Sequence, residues 1–402
     1  MFNSKAQSLA LAMALLLAAG AQRASAETRP ATGNLLPKPL LSMTPLDPAA
    51  ARERGLERRE FNFGDKALSF TSYLPAAAKI ETATIDTSEP LTGIGRIRIV
   101  GKIAFPDTPQ VEATITAFQL ASVANPARIC AHQAEQIGYS VAASATTSDL
   151  AQAQVLAFAT RDGRRMQGAF GQCYARGDRL LSVYVLIDLR DAKDNDAART
   201  ILNRARDLAS PIVANLAFAD EQPSGFRDGL GEAKLRDLGR DLVLAFPKSW
   251  QVAINDFTGH LPAELHLTRT SGDKSRGALW LAAQERAEQP DLDKLGPALI
   301  ADYFAQQSKD AQAPVLLVAA EDPLFGNAGI AARSFRFSLK DKAGKDAGDI
   351  LAILLWHKNR LYAVSLWLPW PASADANIFY SRLPGLTAYD MMATRLRAHL
   401  LE

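Results

Sequence analysis

One ten-residue pattern occurs twice in this chain, and it limits the possible folds more than any other feature of the sequence. Arg179–Asp188 reads RLLSVYVLID, and Arg360–Pro369, 181 positions later, reads RLYAVSLWLP. Each copy follows a second apolar run, at 166–174 and at 350–356, across a short polar turn. Two apolar runs joined in this way are typical of a β-hairpin. The repetition predicts one folded unit that is used twice.

Helical patterns flank both hairpins. A closing helix is predicted at 197–216 and at 378–400, and an earlier helix at 126–137 and at 292–307. We therefore expect an α+β fold of two tandem domains, each an antiparallel β-sheet packed with helices. The predicted segments are a signal peptide at 1–26, a proline-rich disordered arm at 27–59, a first α+β domain at 60–220, a linker at 221–239 and a second α+β domain at 240–402.

The first 26 residues have the composition of a secretory signal peptide. Lys5 precedes an apolar run at 9–21, and Ala24 and Ala26 frame a cleavage site before Glu27. The following arm contains five prolines, which remove backbone donors and break helical periodicity. The predicted location is the periplasm, or the medium outside the cell, after cleavage.

The charge balance argues against some classes of partner. The chain has 45 basic and 43 acidic residues, and the leader holds two basic residues, Lys5 and Arg23, with no acid, so 43 of each remain after cleavage. A neutral protein has no field of one sign to steer it toward nucleic acid, and nucleic-acid binding is not expected. No later stretch is apolar for the 18 residues of a membrane span, so no integral membrane segment is expected after cleavage.

The second half resembles a known family in its motifs and in the order of its elements. It opens at 242–250 with LVLAFPKSW, a strand that ends in Phe-Pro-Lys-Ser-Trp. Strands are predicted at 266–270, 278–284, 315–320 and 331–339, before the hairpin and the closing helix. This order resembles the PsbP-like and DcrB-like domains of the photosynthetic lumen and the bacterial envelope, over about 160 residues. In the first half the resemblance covers only the hairpin and the closing helix. It implies an α/β/α sandwich and an accessory or binding role, and it brings no catalytic residues.

Two cysteines, Cys130 and Cys173, are the only ones in the chain. In an oxidising compartment an even pair of cysteines is a candidate disulfide. The closed loop would stabilise the folded state by about 3 to 4 kcal/mol. Two buried free thiols are the alternative, because free cysteine is among the most buried residue types.

Two stretches of the sequence contain clustered side chains that can bind metal ions. Glu264 and His266 would share a face of a strand and form a candidate metal site, but a zinc site needs at least one further ligand. A solvated strand face is the alternative. The aspartates at 188–196 do not fit a calcium-binding loop, and Asp194 is placed to cap the closing helix.

Aromatic residues near the second hairpin are the one positive sign of ligand binding. Trp370 and Tyr380 are the candidate ligand-binding residues, since Trp and Tyr offer apolar faces with a polar edge. Packing into the core is the alternative, and it is the interpretation favoured for Trp356 and Trp367.

No motif of nucleophilic, dinucleotide or phosphate chemistry is found in the sequence, and no cofactor is expected. The favoured function is a non-enzymatic envelope accessory or binding protein that presents sheet faces or an inter-domain groove to an envelope protein or a small ligand. The alternative is a hydrolase or metal-assisted enzyme with a site between the two domains, for which Glu264, His266 and His357 are candidates. The sequence leaves the oligomeric state open.

Overall fold

The computed structural model divides the chain into two compact units, Met1–Asp228 and Gly229–Glu402. The described residues are 46–85, 94–120, 122–147, 150–161, 164–220, 229–248, 250–254, 265–269, 277–307, 312–370 and 378–402. The predicted signal peptide and the arm as far as residue 45 lie outside these ranges. The described end of the arm is ordered, since 48–53 is helical and 56–59 belongs to a strand.

The first unit contains ten strands and three helices within its described residues. They follow in the order α1 (Pro48–Glu53), β1 (Leu56–Phe61), β2 (Phe70–Pro75), β3 (Lys79–Ile85), β4 (Ile94–Ala104), β5 (Val111–Leu120), α2 (Pro126–Gln136), β6 (Ser140–Thr146), β7 (Gln152–Arg161), β8 (Arg164–Arg176), β9 (Arg179–Asp188), α3 (Asn195–Ala214) and β10 (Ala217–Phe218). Seven strands form an antiparallel sheet in the order β3-β4-β5-β9-β8-β7-β6, and β1, β2 and β10 form a small second sheet.

The core of the first unit lies where helix α3 meets the strands. The helix begins at Asp194, whose side chain accepts hydrogen bonds from the backbone N–H groups of Asp196 and Ala197 at 3.0 and 2.8 Å. The predicted capping role of Asp194 is thus confirmed. Buried residues recur along α3 at helical spacing and join the strand side chains in one apolar cluster: Ala198, Leu202, Ala205, Ala209 and Ile212.

The second unit contains nine strands and three helices within its described residues. They follow in the order β11 (Leu230–Asp237), β12 (Arg240–Pro247), β13 (Trp250–Ile254), β14 (Leu265–Arg269), β15 (Ala278–Glu285), α4 (Leu292–Gln307), β16 (Val315–Glu321), α5 (Pro323–Gly326), β17 (Ala331–Lys340), β18 (Asp346–His357), β19 (Arg360–Pro369) and α6 (Ile378–Leu401). Seven strands form an antiparallel sheet in the order β13-β14-β15-β19-β18-β17-β16, and β11 and β12 pair as a separate hairpin.

The two seven-stranded sheets have the same strand order. Adding ten to each strand number of the first sheet gives the strand order of the second. Strand β13 thus corresponds to β3 at one edge, and β16 corresponds to β6 at the other. Helices α2 and α4 occupy the same place in the chain, between the third and fourth strands of their sheets. Positions in the two sheets can therefore be compared strand by strand.

The predicted fold class is wrong. The sequence led us to expect α+β domains, each an antiparallel sheet packed with helices in an α/β/α sandwich. Within the part of the chain that the structure describes, strands account for 48% and helices for 28%, with four antiparallel sheets and few helices, so this part is mostly β. The error arises from strand length and number: β4, β8 and β18 have 11, 13 and 12 residues, and the hairpin strands β11 and β12 add a sheet of their own.

The hairpins and helices at the repeated pattern are confirmed. Strands β8 and β9 pair up to Arg176 and Arg179, and β18 and β19 pair up to His357 and Arg360, so each loop has two residues. In the second loop Lys358 and Asn359 have φ angles of 48° and 59°. Positive φ at both positions is typical of a type I′ turn, whose twist matches that of the flanking strands.

Within the described residues, no helix is long and apolar enough to cross a membrane.

Candidate functional site

A cavity of about 380 Å³ in the second unit is the candidate site, and two strands form its floor. Three cross-strand pairs of β15 and β19 lie at alternate positions, so their side chains project to one face of the sheet. The pairs are Trp280 with Ser365, Ala282 with Ala363, and Gln284 with Leu361. Trp280 and Ser365 are buried and Gln284 is exposed, so the cavity is closed at the tryptophan end and open at the glutamine end.

Helix α4 forms the roof. Leu299, Ile300 and Tyr303 line the cavity from one side of the helix. Asp291 caps the helix by accepting hydrogen bonds from backbone N–H groups in its first turn. Arg333 of β17 donates to Asp293 Oδ1 from Nε at 2.7 Å, which fixes the start of the helix to the sheet.

The open space beneath α4 results from small side chains at the middle of the floor. Ala282 and Ala363 oppose each other across the strands and extend no further than Cβ. Trp280 and Tyr303 close one end with their rings 5.0 Å apart in an edge-to-face arrangement. The cavity is therefore mainly apolar, with Ser365, Gln284, the Tyr303 hydroxyl and the Trp280 indole N–H as its polar side-chain groups, and its volume is in the usual range of about 300 to 1,000 Å³ for small-molecule sites.

The same face of the first sheet is filled. Tyr184 takes the place of Ser365, and its hydroxyl donates a hydrogen bond to the backbone carbonyl of Cys130 in helix α2. Ser182 takes the place of Ala363 and donates to Gln133 Oε1 in the same helix at 2.6 Å. Burial, followed by the neighbouring thiols, raises the pKa of Tyr184, so its hydroxyl stays protonated. In the first unit the helix is thus hydrogen-bonded to this face of the sheet, whereas in the second unit a cavity lies at the corresponding place.

A buried polar cluster lies at the end of hairpin β11–β12. The Asp237 carboxylate is fully buried and has three partners: Arg360 Nη1 at 2.9 Å from Oδ1, and Tyr362 Oη and His399 Nε2 at 2.9 and 3.2 Å from Oδ2. Burial and the negative charge of Asp237 raise the pKa of Tyr362. The cluster joins hairpin β11–β12, strand β19 and helix α6 in one network.

A second cavity, of about 610 Å³, opens beside this cluster. Charged residues from three segments line it: Arg236, Asp237, Glu285, Arg286, Lys358 and Arg360. Arg236 is paired with Asp241 at 3.0 Å; Asp237 Oδ2 accepts a hydrogen bond from Tyr362, and Asp237 Oδ1 is ion-paired with Arg360 but accepts no hydrogen bond from the described residues. A general base must lie within hydrogen-bond reach of a substrate, and the Asp237 side chain is fully buried among groups of β19 and α6. We therefore assign the cluster a structural role.

The structure places the predicted ligand-binding residues away from both cavities. Tyr380 is buried near the start of α6, and Trp370 is half-buried at the end of β19, with the Arg382 guanidinium 5.3 Å from its ring centre. Neither residue lines either of the two cavities. A ligand-binding role for Trp370 and Tyr380 stays a prediction.

The two side chains of the predicted metal site lie outside what the structure describes. Glu264 lies outside the described residues, and of His266 only the backbone is described, in strand β14 opposite Ala253. Among the residues that the structure does describe, no group of three His, Cys, Asp or Glu side chains is arranged to hold a metal ion. Burial and the adjacent Lys358 lower the pKa of His357, the third residue of the enzyme hypothesis.

The predicted disulfide between Cys130 and Cys173 is not formed. Both are free thiols and fully buried. Each sulfur is engaged as a hydrogen-bond donor: Cys130 Sγ lies 3.8 Å from the Ala153 carbonyl oxygen, and Cys173 Sγ lies 3.9 Å from Gln133 Oε1. Burial, then the neighbouring Cys173, raises the pKa of Cys130, so the thiol form is favoured. The structure has the two buried free thiols that were the alternative.

Sequence reasoning missed the cavity and the Asp237 cluster. The cavity depends on which alanines of β15 and β19 face each other, and nothing in either strand alone indicates that register. The cluster joins Asp237 to His399, which are 162 positions apart. The one sequence feature that points to the cluster is Arg360, which is the first residue of its copy of the repeated pattern, as Arg179 is of the other copy. Arg179 also pairs with an aspartate, Asp220, at 2.8 Å.

Comparison with known proteins gives weak structural similarities. No protein-family model and no curated protein matches the sequence. Among solved structures, the chain is similar to cyanobacterial PsbP (CyanoP) from Synechocystis sp. PCC 6803, with 12% identity and a TM-score of 0.26, over 34% of this chain and 79% of that one. It is also similar to the immunity protein TplEi of T6SS from Pseudomonas aeruginosa, with 12% identity and a TM-score of 0.18, over 81% and 92% of the two chains. At these scores, fold and function must be argued from the chain itself.

Proposed function

We propose that this chain is an exported, non-enzymatic accessory or binding protein, and that the cavity beneath helix α4 receives a small, mainly apolar molecule. The cavity at the Ala282–Ala363 pair is the observation that carries the proposal. An aromatic or branched aliphatic group of a ligand would fill the space that the two alanines leave. Ser365 and Gln284 would then orient its polar end.

The chemistry of the lining supports binding rather than catalysis. Among the described residues that line the cavity, Tyr303 is the one with a titratable side chain. An acid–base or nucleophilic mechanism needs at least two cooperating groups at a reacting atom. An apolar cavity gains its affinity instead from the surface that the ligand removes from water, about 25 cal/mol per Å².

We also propose that the two units are tandem copies of one ancestral domain, related to the PsbP-like and DcrB-like envelope domains that the sequence resembles. The shared strand order of the two sheets supports a duplication. The leader sequence supports export to the periplasm or beyond. On this proposal one copy has kept a closed face and the other has opened a site.

Binding is tested with N-phenyl-1-naphthylamine, an uncharged aromatic amine whose fluorescence rises in apolar surroundings. The purified chain is titrated with the probe, and we expect saturable binding with one site per chain. Ala363→Leu places four carbons where one was and should weaken probe binding at least tenfold. Ala298→Leu, the same substitution at an exposed position of helix α4, is the matched control and should leave the affinity unchanged.

Two results would overturn the proposal. One is the absence of saturable binding to the unaltered chain. The other is an affinity that Ala363→Leu and Ala298→Leu change equally, which would place the probe on another surface. Thermal unfolding of each variant shows whether its fold is intact.

A further inference from the structure

Strand β16 is an outer strand of the second seven-stranded sheet and carries an unusual row of exposed apolar side chains. Val315, Leu316, Leu317 and Val318 are 51, 41, 52 and 49% exposed. Exposed edge strands are normally short, charged or covered, because their free backbone groups pair readily with another strand. Residues 315–320 contain no charge, and Glu321 is the first charged residue of the strand.

One edge of β16 is paired and the other is open. The strand pairs with β17, and a bulge at Leu317 leaves that residue without a register partner. In the described part of the chain, β16 ends the order of its sheet, so the opposite row of backbone N–H and C=O groups has no strand beside it. These groups can form a ladder with a further strand.

The corresponding strand of the first unit shows that the fold does not require apolar residues here. Strand β6 occupies the same edge and has its bulge at the same place, between Val141 and Ala143. Its sequence is SVAASAT, whereas that of β16 is VLLVAAE. The apolar side chains of β16 are thus a property of this copy and call for a separate explanation.

We infer that β16 is a dimerisation strand, which pairs with β16 of a second copy of this chain. A twofold axis between Leu317 and Val318 makes the strand complementary to itself in antiparallel register. The resulting pairs are Val315 with Ala320, Leu316 with Ala319, and Leu317 with Val318, and all are apolar. The absence of charge from 315–320 removes the like-charge repulsion that self-pairing usually meets. The symmetry closes at two chains and joins the two sheets into one.

The contact is small for a protein interface. A stable interface buries about 800 Å² on each partner, and a six-residue strand supplies less than that. We therefore expect a reversible dimer whose fraction rises with protein concentration.

Sedimentation velocity of the full chain over a range of concentrations tests this inference. We expect a shift from one chain mass, 43.4 kDa, toward twice that mass as the concentration rises. Leu317→Lys should weaken the dimer at least tenfold, because two like charges meet near the axis. Ala319→Lys and Ser144→Lys form a matched pair at the same place in β16 and β6, and only the first should weaken it.

Hydrogen exchange gives a readout that is specific to strand pairing. Amides of 315–320 should exchange more slowly at high protein concentration, and those of 140–145 should not change. A chain that stays monomeric, a dimer that is insensitive to Leu317→Lys, growth beyond two chains, or exchange in β16 that is independent of concentration would each overturn the inference.

Discussion

Asp237 shows how a single buried charge can determine the stability of a whole unit. Its carboxylate has lost its water and relies on Arg360, Tyr362 and His399 for compensation. Removing one partner of a buried ion pair leaves the other charge buried and uncompensated, which typically costs about 3 to 5 kcal/mol. We therefore expect Asp237→Ala to lower the free energy of unfolding of the second unit by about that amount.

Urea unfolding measures this loss, and a matched variant lies on the same hairpin. Asp241 pairs with Arg236 at 3.0 Å, but both side chains are about half exposed. Exposed pairs contribute about 0 to 1 kcal/mol, so Asp241→Ala should change stability by less than 1 kcal/mol. Equal losses of unfolding free energy in the two variants would show that the Asp237 cluster contributes no more to stability than an exposed ion pair does.

His132 in helix α2 makes the stability of the first unit depend on pH. Burial lowers the pKa of His132 to about 4, against about 6.5 in an unfolded chain. Between these values the unfolded chain binds a proton that the folded chain does not, so stability falls as the pH is lowered from about 6.5 to about 4. Allowing for its partial exposure, we expect this residue to account for a loss of about 2 kcal/mol.

Comparison with His132→Gln isolates this contribution from other titrating groups. The difference in unfolding free energy between the two proteins should be constant above pH 7. Below that, the original chain should lose stability relative to the variant. A difference that stays constant down to pH 4 would show that the folded His132 titrates normally.

Among the helices, α4 depends on one glycine for its position on the sheet. A Cβ added to Gly296 would lie 2.3 Å from Cζ of Phe335 in β17, so any larger residue must displace the helix or the ring. Alanine improves helix propensity by about 1 kcal/mol, but overpacking costs about 1 to 3 kcal/mol. We expect Gly296→Ala to destabilise the second unit by about 1 kcal/mol in urea unfolding and to weaken probe binding beneath the helix.

The double variant Gly296→Ala, Phe335→Leu tests the cause. Leucine lacks the Cζ atom that the new Cβ would meet, so the double variant should be more stable than the sum of the two single effects predicts. If the two single effects on the free energy of unfolding simply add, the close approach of α4 to Phe335 is not the reason that a larger residue at 296 destabilises the unit.

The sequence predicts local elements well where a short-range pattern determines them. The helices at 126–137 and 292–307 and both hairpins of the repeat are found within a few residues of their predicted bounds. Apolar spacing and turn residues act over about ten positions and are visible in the chain itself. The fold class depended on how many strands join each sheet, and β11, the first strand of the β11–β12 hairpin, falls in the range assigned to the linker.

The candidate site could not be predicted for the same physical reason. Ala282 and Ala363 are unremarkable alanines until the strands are aligned, because a shift of one residue would turn both to the other face. Trp370 and Tyr380 stood out in the sequence through their side-chain chemistry alone. A cavity is formed by side chains that are short, and short side chains give no comparable signal.

Each of the two units forms its sheets from its own strands. Strands β1 to β10 supply the two sheets of the first unit, and β11 to β19 supply those of the second. The two larger apolar clusters are likewise drawn from one unit each. A segment with complete strand pairing and its own core meets the usual physical requirements for independent folding.

We therefore expect a fragment of residues 229–402 to fold without the rest of the chain. It should unfold in a single cooperative transition in urea, because both its sheets and the network around Asp237 lie within it. It should also bind N-phenyl-1-naphthylamine with an affinity within about threefold of that of the full chain, since all residues that line the cavity are present. Circular dichroism and probe titration provide the two measurements. A fragment that folds but does not bind would place the probe site outside the second unit, whereas a fragment without a cooperative transition would show that the first unit is needed to complete the core of the second.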